Sequence, residues 1–138
     1  MQYYLSLGAN LGERERTITQ ALQMIEQQIG TVLRCSSFYY SPAWGFESEN
    51  EFCNLCSCVE TSMQPLEVLL ATQVIEQNLG RTLKSLNGYY SDRYIDIDII
   101  LAFDEHNQEL FINTPELTIP HPLWSKRDFV KVPLAEIL

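Results

Sequence analysis

Basic side chains are scarce in this sequence of 138 residues, where nine Lys and Arg stand against 18 Asp and Glu, for a formal net charge of −9. A surface that binds duplex DNA or RNA must neutralise phosphates with Lys and Arg, so this composition argues against a nucleic-acid partner. Only three of the nine basic residues lie in the first 80 positions. We therefore expect a small cationic pocket in the second part of the chain, suited to a small anion.

Long apolar runs are also missing, since no stretch approaches the ~18 residues that cross a membrane. No basic segment followed by an apolar one opens the sequence, so we see no secretory signal. We expect a cytoplasmic protein without a membrane partner. Hydrophobic residues make up 46% and charged residues 20%, which is typical of a globular chain. The length predicts one domain over residues 1–138, and we expect it to act as a monomer.

Three common catalytic motifs are absent. Gly8 and Gly12 are not followed by Gly-Lys-Ser/Thr, so the sequence has no P-loop. It also has no Gly-x-Gly-x-x-Gly fingerprint and therefore no support for a Rossmann dinucleotide site. A Gly-x-Ser-x-Gly nucleophile elbow is missing as well. Nucleotide chemistry in this chain must therefore use another arrangement.

The four cysteines are Cys35, Cys53, Cys56 and Cys58. The spacing of the last three could suggest a metal site, but they fall in a segment that reads as a β-strand. Neighbouring side chains of a strand alternate between its faces, so Cys53 is expected to point away from Cys56 and Cys58. No second Cys/His pair has zinc-finger spacing. We interpret these cysteines as small, reduced core residues.

The hydrophobic pattern predicts the order β-α-β-β-α-β with a C-terminal extension. This is the α+β, ferredoxin-like plan, an antiparallel sheet with both helices packed on one face. In the second helix we expect Leu66, Leu69, Leu70 and Val74 to form the buried face. We see no internal repeat, and two long loops, 41–51 and 81–93, are candidate lids. The predicted elements are strands at Gln2–Leu7, Thr31–Tyr40, Phe52–Thr61 and Tyr94–Ala102, helices at Glu13–Gln28 and from Pro65 to Leu79, and a late helical stretch at Trp124–Val130.

The strongest chemical signal is Asp96 and Asp98 within an Ile-Asp-Ile-Asp-Ile run. On a strand the two carboxylates share one face, where they repel unless a cation lies between them. Hard oxygen ligands favour Mg²⁺, which often combines one or two carboxylates with substrate phosphates. The alternative is a solvated sheet face that tolerates the charges.

Other candidates are weaker when taken singly. His121, between two prolines, lies near Lys126 and Arg127, which together could bind phosphate, although Lys126 reads better as a surface charge. Arg81 and Arg93 bracket the second long loop and could close over a nucleotide. Phe52 and Phe129 could sandwich a flat heterocycle that Asn54 reads. For each of these the alternative is an ordinary surface or core residue, and His106 reads as a hairpin-turn residue without a role.

Taken in order, these segments resemble the 6-hydroxymethyl-7,8-dihydropterin pyrophosphokinase family of folate biosynthesis. The resemblance runs from the first strand almost to the C-terminus and rests on several matching pieces. They are 5–12 (LSLGANLG), 36–39 (SSFY) with Ser41-Pro42, 52–54 (FCN), Glu76 with Gly80-Arg81, 93–99 (RYIDIDI) and 117–121 (LTIPH).

The resemblance implies transfer of pyrophosphate from ATP, the co-substrate, to the hydroxymethyl oxygen of the pterin, with release of AMP. It implies two Mg²⁺ ions, held by Asp96 and Asp98, and catalytic roles for Arg81 and Arg93. It also implies two groups of binding residues. The ATP side comprises Gln73, Glu76, Arg81, Arg93, Thr118, His121 and Arg127, and the pterin side comprises Ser41, Pro42, Trp44, Phe52, Asn54 and Phe129.

The sequence departs from the family pattern in places. The usual Trp-Gly-Pro-Arg-Thr run before the acidic strand is replaced, and we expect Tyr89 or Tyr90 to stand in for the Trp. Pro122 occupies a position where an aromatic residue often follows the His, and Glu116 one where some members carry Arg. Two other functions stay open from residues alone, namely a heterocycle-binding module without chemistry and a Mg²⁺-dependent phosphohydrolase.

Overall fold

An antiparallel sheet with the order β2-β4-β1-β5 is the frame of the molecule. The computed structural model describes residues 1–42, 51–80 and 94–138. The short strand β3 pairs with β4 beyond the end of β2, and β6 and β7 form a separate two-stranded sheet. The strands are β1 (Gln2–Ala9), β2 (Thr31–Cys35), β3 (Tyr39–Ser41), β4 (Phe52–Glu60), β5 (Asp96–Phe103), β6 (Ile112–Asn113) and β7 (Thr118–Ile119), and the helices are α1 (Arg14–Gln28), α2 (Pro65–Asn78) and α3 (Asp128–Ile137).

The predicted ferredoxin-like fold is confirmed. Strands β1 and β4 lie at the centre of the sheet, and β2 and β5 lie outside them. Alternate side chains of β1 point to opposite faces. Tyr3, Leu5 and Leu7 join a core with residues of α1 and α2, so both helices cover the same face, which we call the α1/α2 face. Burying a side chain such as Leu7 stabilises the fold by about 1.5–3 kcal/mol.

The opposite face of the sheet is covered by the C-terminal extension. Here Tyr4, Cys56 and Ile100 pack against Val130 and Leu134 of α3 in a second core, and we call this the α3 face. The end of α3 is fixed to the sheet by Arg34, whose Nε donates to the Ile137 carbonyl at 2.6 Å and whose other nitrogen donates to the Tyr4 hydroxyl at 2.7 Å. The extension is therefore part of the folded core.

The predicted late helix, Trp124–Val130, was placed too early. A short 3-10 turn occupies Trp124–Lys126, and α3 runs from Asp128 to Ile137. The buried residues Val130, Leu134 and Ile137 recur every three or four positions, which is the spacing of a helix face. Pro133 lies inside α3 and is itself buried. The apolar period thus continues past the proline to the end of the helix.

The buried face of α2 was predicted wrongly at three of four positions, since only Leu69 packs against the core. Leu66, Leu70 and Val74 are 52%, 55% and 48% exposed, whereas Val68 and Ile75 are fully buried. Apolar residues surround most of this helix, so its periodicity alone does not single out one face. The orientation is decided by packing against the α1/α2 face of the sheet.

The predicted second strand is two strands in the structure. Between β2 and β3, Ser36 exchanges backbone and side-chain hydrogen bonds with Cys56: the Ser36 N–H donates to the Cys56 carbonyl at 2.8 Å, and the Cys56 N–H donates to Ser36 Oγ at 2.9 Å. The side chain thus replaces a ladder bond, as Ser often does, and the strand is interrupted there.

The cysteine prediction is confirmed for Cys53, Cys56 and Cys58 but is wrong for Cys35, which lies at the end of the outer strand β2 and is exposed. Cys53 belongs to the core on the α1/α2 face, whereas Cys56 and Cys58 belong to the core on the α3 face. All four thiols are free. Burial raises the pKa of Cys53 to about 11 and that of Cys56 to about 12, so both stay protonated at neutral pH. Within the described residues, no group of three or more Cys, His, Asp or Glu could hold a metal ion.

A short internal repeat, which the sequence analysis overlooked, marks the ends of α1 and α2. Residues 25–30 read IEQQIG and residues 75–80 read IEQNLG. Ile25 and Ile75 are both fully buried. In both copies the glutamate accepts a backbone N–H of an outer strand, Glu26 from Val32 at 2.6 Å and Glu76 from Ile97 at 2.7 Å. The repeat is therefore structural as well as sequential.

We expect Gly30→Ala to lower the free energy of unfolding by about 1–3 kcal/mol or more, the range typical of overpacking. A Cβ at position 30 would collide with the backbone carbonyl of Glu60 and lie 2.8 Å from Thr61 Cβ. Gln27→Ala, at an exposed position of α1, is the control. Urea unfolding followed by circular dichroism measures both variants, and equal midpoints would contradict the predicted collision.

Candidate functional site

Asp96 and Asp98 lie side by side on the α3 face of β5. The register pairs Asp96 with Gly8 and Asp98 with Ser6, and both carboxylate residues are half-buried. Ile97 and Ile99 point the other way, into the α1/α2 core. The predicted alternation along this strand is confirmed, and the two carboxylates share one face next to two small residues.

A row of three residues crosses the centre of the sheet on this face. Gly8 of β1 is paired with Asn54 of β4 on one side and with Asp96 of β5 on the other. Since adjacent strands lie ~4.8 Å apart, the backbones of Asn54 and Asp96 are separated by ~10 Å. A Cβ at Gly8 would come within 3.0 Å of Asn54 Oδ1 and 3.6 Å of Phe52 Cδ1. The missing side chain therefore leaves the space between the amide, the ring and the carboxylate open.

Asn54 is held in one orientation. Its Nδ2 donates to the Tyr39 carbonyl at 3.1 Å and to Ser41 Oγ at 2.9 Å, and the residue is only 2% exposed. With both amide protons used in this way, Oδ1 is turned toward Gly8 as an acceptor. Ser41 is buried beside it, Pro42 is exposed and Phe52 is half-buried. Trp44, predicted for the same pocket, lies outside the described residues.

His121 is anchored to the acidic strand. Its N–H donates to the Ile100 carbonyl at 3.0 Å, and the N–H of Leu123 donates to its Nδ1 at 3.2 Å. In the neutral ring the proton is therefore on Nε2, which is left as a donor. Burial lowers the pKa of His121, the positive charge of Arg127 lowers it further, and the negative charge of Asp96 raises it. The structure thus brings His121 close to both charged residues.

Arg127 and Phe129 lie at the beginning of α3. Arg127 is only 7% exposed, and its Cζ lies 5.7 Å from the centre of the Phe129 ring, within the range of a cation–π contact. Val130, in the first turn of α3, packs against the sheet, and its carbonyl oxygen lies 3.8 Å from Cys56 Sγ. Cys56 is in register with Ser6, and Ser6 with Asp98. The first turn of α3 therefore lies on the same sheet face as the two carboxylates.

The other predicted ATP-side residues lie on elements that contact β5 or outside the described residues. Gln73 is exposed on α2 and Thr118 is exposed on β7, and both elements pack against β5. Glu76 is buried, and its Oε2 accepts the Ile97 N–H at 2.7 Å. Arg81 and Arg93, like Tyr89 and Tyr90, lie outside the described residues. Lys126 is exposed and His106 lies in a turn closed by Asp104, as predicted.

The donor set suits a cation shared with a substrate. Two carboxylates are too few to enclose a metal ion, and no third Cys, His, Asp or Glu completes a cluster in the described part of the chain. Mg²⁺ commonly keeps water and phosphate oxygens among its ligands and takes only one or two carboxylates. Asp96 and Asp98 therefore fit Mg²⁺ together with phosphate oxygens, and His121 and Arg127 are side chains of the type that could donate to phosphate.

Residues 4–138 match the family of 7,8-dihydro-6-hydroxymethylpterin-pyrophosphokinase (HPPK). The chain belongs to this family. It is 44% identical over 134 residues to the 2-amino-4-hydroxy-6-hydroxymethyldihydropteridine pyrophosphokinase of Porphyromonas gingivalis, and the match covers 97% of this chain and 88% of that protein. Proteins with the same name from Aquifex aeolicus and Bacillus subtilis are each 40% identical over 97% of this chain, covering 78% and 76% of their lengths.

Solved structures agree on the fold. A fused HPPK-DHPS chain crystallised with substrates superposes on 99% of this chain with a TM-score of 0.69 at 17% identity. The HPPK-DHPS triple mutant of Plasmodium falciparum superposes on 96% with a TM-score of 0.67 at 15% identity. This chain covers 40% of the length of each fused chain. The predicted family is confirmed by the family match and the relatives at 40–44% identity. Within the described residues we find no helix long and apolar enough to cross a membrane.

Gly8 was not predicted as a site residue. The predicted first strand ended at Leu7, whereas β1 continues to Ala9, so Gly8 lies within the strand. A glycine inside a strand often marks a place where a ligand or another group approaches closely. That signal, combined with the later Asn54 and the Asp pair, could have pointed to the row across the sheet.

We expect the pKa of His121 to move in opposite directions when its two charged neighbours are removed. Arg127→Gln should raise it, because a positive charge that disfavours the imidazolium is lost, and Asp96→Asn should lower it, because an attractive negative charge is lost. Titration of the His121 ring by NMR measures both, with His106 as internal reference. Because the folded-state pKa is depressed, the stability that His121 contributes is present above its ordinary value of about 6.5 and is lost as the pH falls through the folded value. Shifts of the same sign in both variants would contradict the arrangement.

Proposed function

We propose that the face formed by Asn54, Gly8 and Asp96 holds both substrates of a pyrophosphokinase reaction. In this reaction the pyrophosphate group of ATP passes to the hydroxymethyl oxygen of 6-hydroxymethyl-7,8-dihydropterin, as one step of folate biosynthesis. Family membership supports the reaction. The arrangement of the three-strand row supports the site, since its amide end and its carboxylate end suit a heterocycle and a metal-bound phosphate respectively.

The chemistry requires positioning and charge neutralisation more than a protein nucleophile. The hydroxymethyl oxygen attacks the β-phosphorus, and the bond from that phosphorus to the oxygen bridging it to the α-phosphorus breaks. AMP leaves with the bridging oxygen, and the hydroxyl proton passes to solvent or to a phosphate oxygen. His121 is placed as a donor through Nε2, because its Nδ1 already accepts the Leu123 N–H.

Asp96 and Asp98 would hold the magnesium, and we propose two ions in the complete complex. When bound, Mg²⁺ would neutralise the charge of the phosphates. His121 and Arg127 would bind phosphate oxygens from the α3 side. Gln73 and Thr118 would border the nucleotide, and the buried Glu76 would support the same part of β5 through the Ile97 amide. We propose that Arg81 and Arg93 act on the phosphates from the 81–93 segment.

The pterin would lie over Gly8. Asn54 Oδ1 is the fixed acceptor there, and Phe52 and Phe129 supply aromatic surface, as a planar heterocycle requires. Ser41 holds the Asn54 amide in place, with Pro42 next to it in the chain, and we propose that Trp44 completes the pocket. The direct test of the function is to incubate the protein with ATP, Mg²⁺ and hydroxymethyldihydropterin and to measure AMP. AMP that requires the pterin supports it, and phosphate release without pterin would contradict it in favour of a phosphohydrolase.

We expect Asp96→Ala and Asp98→Ala each to lower kcat by about 10²–10³-fold, a loss comparable to removal of an essential electrostatic group. Both residues are half-buried on a sheet face rather than in a core, so folding should be retained. Glu105→Ala, an exposed carboxylate in a turn, is the matched control. Steady-state kinetics with circular dichroism tests this, and a folded Asp variant with full activity would contradict the metal role.

We expect Asn54→Ala to raise KM for the pterin more than KM for ATP, because it removes the acceptor over Gly8. The same change leaves the buried Ser41 hydroxyl and the Tyr39 carbonyl without their amide donor, so some stability is lost as well. Ser41→Ala keeps the Asn54 Oδ1 acceptor but removes one hydrogen bond that orients the Asn54 amide. It should therefore raise KM for the pterin by a smaller factor. Equal changes in both KM values would show that Asn54 does not face the pterin.

We further propose that residues 1–138 act as one monomeric domain in the cytoplasm. The high coverage of the chain by a single family supports the domain. Sedimentation equilibrium of the purified chain measures the oligomeric state directly.

A further inference from the structure

Glu76 is a buried carboxylate in the last turn of α2, where only 8% of the residue is exposed. Its Oε2 accepts the backbone N–H of Ile97 at 2.7 Å. Ile97 stands between Asp96 and Asp98, so the bonded amide belongs to the segment that joins the two carboxylates. A hydrogen bond to an ionised acceptor is shorter and stronger than a neutral one.

The bond is made at the outer edge of the sheet. Strand β5 is the last in the order β2-β4-β1-β5, and alternate N–H groups of such a strand have no strand partner on that side. On one side, the Asp96–Asp98 segment is paired with β1. Glu76 supplies a contact from the other side and ties the segment to α2, whose Ile75 is fully buried in the core.

The chain contains a natural comparison. Glu26 occupies the same place in the repeat at the end of α1 and accepts the Val32 N–H at 2.6 Å. Val32 belongs to β2, at the opposite edge of the sheet and away from the acidic strand. Glu26 is exposed. The two glutamates thus make the same bond, but only that of Glu76 is next to the candidate metal ligands.

We propose that Glu76 is a positioning residue for the metal-binding pair and acts through the Ile97 amide. By fixing the peptide between Asp96 and Ile97, it holds the two carboxylates at one separation and one direction relative to β1. Errors of about 0.5 Å in such a constellation are costly, and loss of a group that orients metal ligands typically weakens metal binding 10–100-fold. The proposal rests on the metal role of Asp96 and Asp98 proposed above.

The test compares Glu76→Ala, Glu76→Gln and Glu26→Ala in the full chain. Three quantities are measured: amide hydrogen exchange at Ile97 and Val32, the dissociation constant of αβ-methylene-ATP with Mg²⁺ and with EDTA, and kcat. The ratio of the two dissociation constants is the gain in nucleotide affinity that the metal provides.

For Glu76→Ala we expect faster exchange at Ile97 and a loss of about 10-fold or more in the metal-dependent gain, with the EDTA value nearly unchanged. Glu76→Gln retains an oxygen acceptor and should restore most of the protection and most of the gain. Glu26→Ala should speed exchange at Val32 and leave the gain and kcat as in the wild type. Val68→Ala, which creates a cavity in the same helix, should lower stability without changing the gain.

Two results would overturn the proposal. The first is a Glu76→Ala protein with an unchanged metal-dependent gain. The second is a Glu76→Gln protein that keeps the Ile97 amide protected but binds metal as poorly as Glu76→Ala, because Glu76 would then act through its charge. Failure of the proposed function is seen separately, as a wild-type protein whose nucleotide affinity does not respond to Mg²⁺.

Discussion

The pairing of β1 with β4 on one side and β5 on the other is the constraint on which the site depends. This register places Gly8 between Asn54 and Asp96 and places Ser6 beside Asp98. A shift of one residue would turn every side chain of a strand to the other face, and the acidic pair would then enter the core occupied by Ile97 and Ile99. The buried apolar face of β1 therefore secures the position of the polar one.

The C-terminal extension completes this arrangement from the α3 face. Its helix buries Val130, Leu134 and Ile137 in a second core, and the chain leading to it carries His121 and Arg127. Because the His121 N–H donates to the Ile100 carbonyl, His121 is fixed to the same strand as the carboxylates. The apolar contacts of α3 hold the start of this helix, next to Arg127, against the sheet.

The charges of the protein fit this design. The chain has a net charge of −9, yet Arg127 is buried and lies close enough to His121 to lower its pKa. Burial and Arg127 keep the imidazole neutral, with its proton on the nitrogen opposite the Leu123 contact. In the proposed function, this neutral donor, the guanidinium and the two carboxylates would hold phosphate and divalent cations together on an anionic protein. At the sheet edge, Glu76 adds a fixed acceptor behind the acidic strand.

Local patterns in the sequence determined a good part of this protein. The alternation of Ile and Asp defined the acidic face of β5, the strand period separated Cys53 from Cys56 and Cys58, and ordered motifs identified the family. Other features needed the tertiary structure. The apolar residues of α2 surround the helix, so only docking on the sheet could decide that Val68 and Ile75 are buried while Leu70 is exposed. The row through Gly8 and the bond from Glu76 to Ile97 join residues far apart in the chain, and strand register, which sequence spacing does not encode, brings them together.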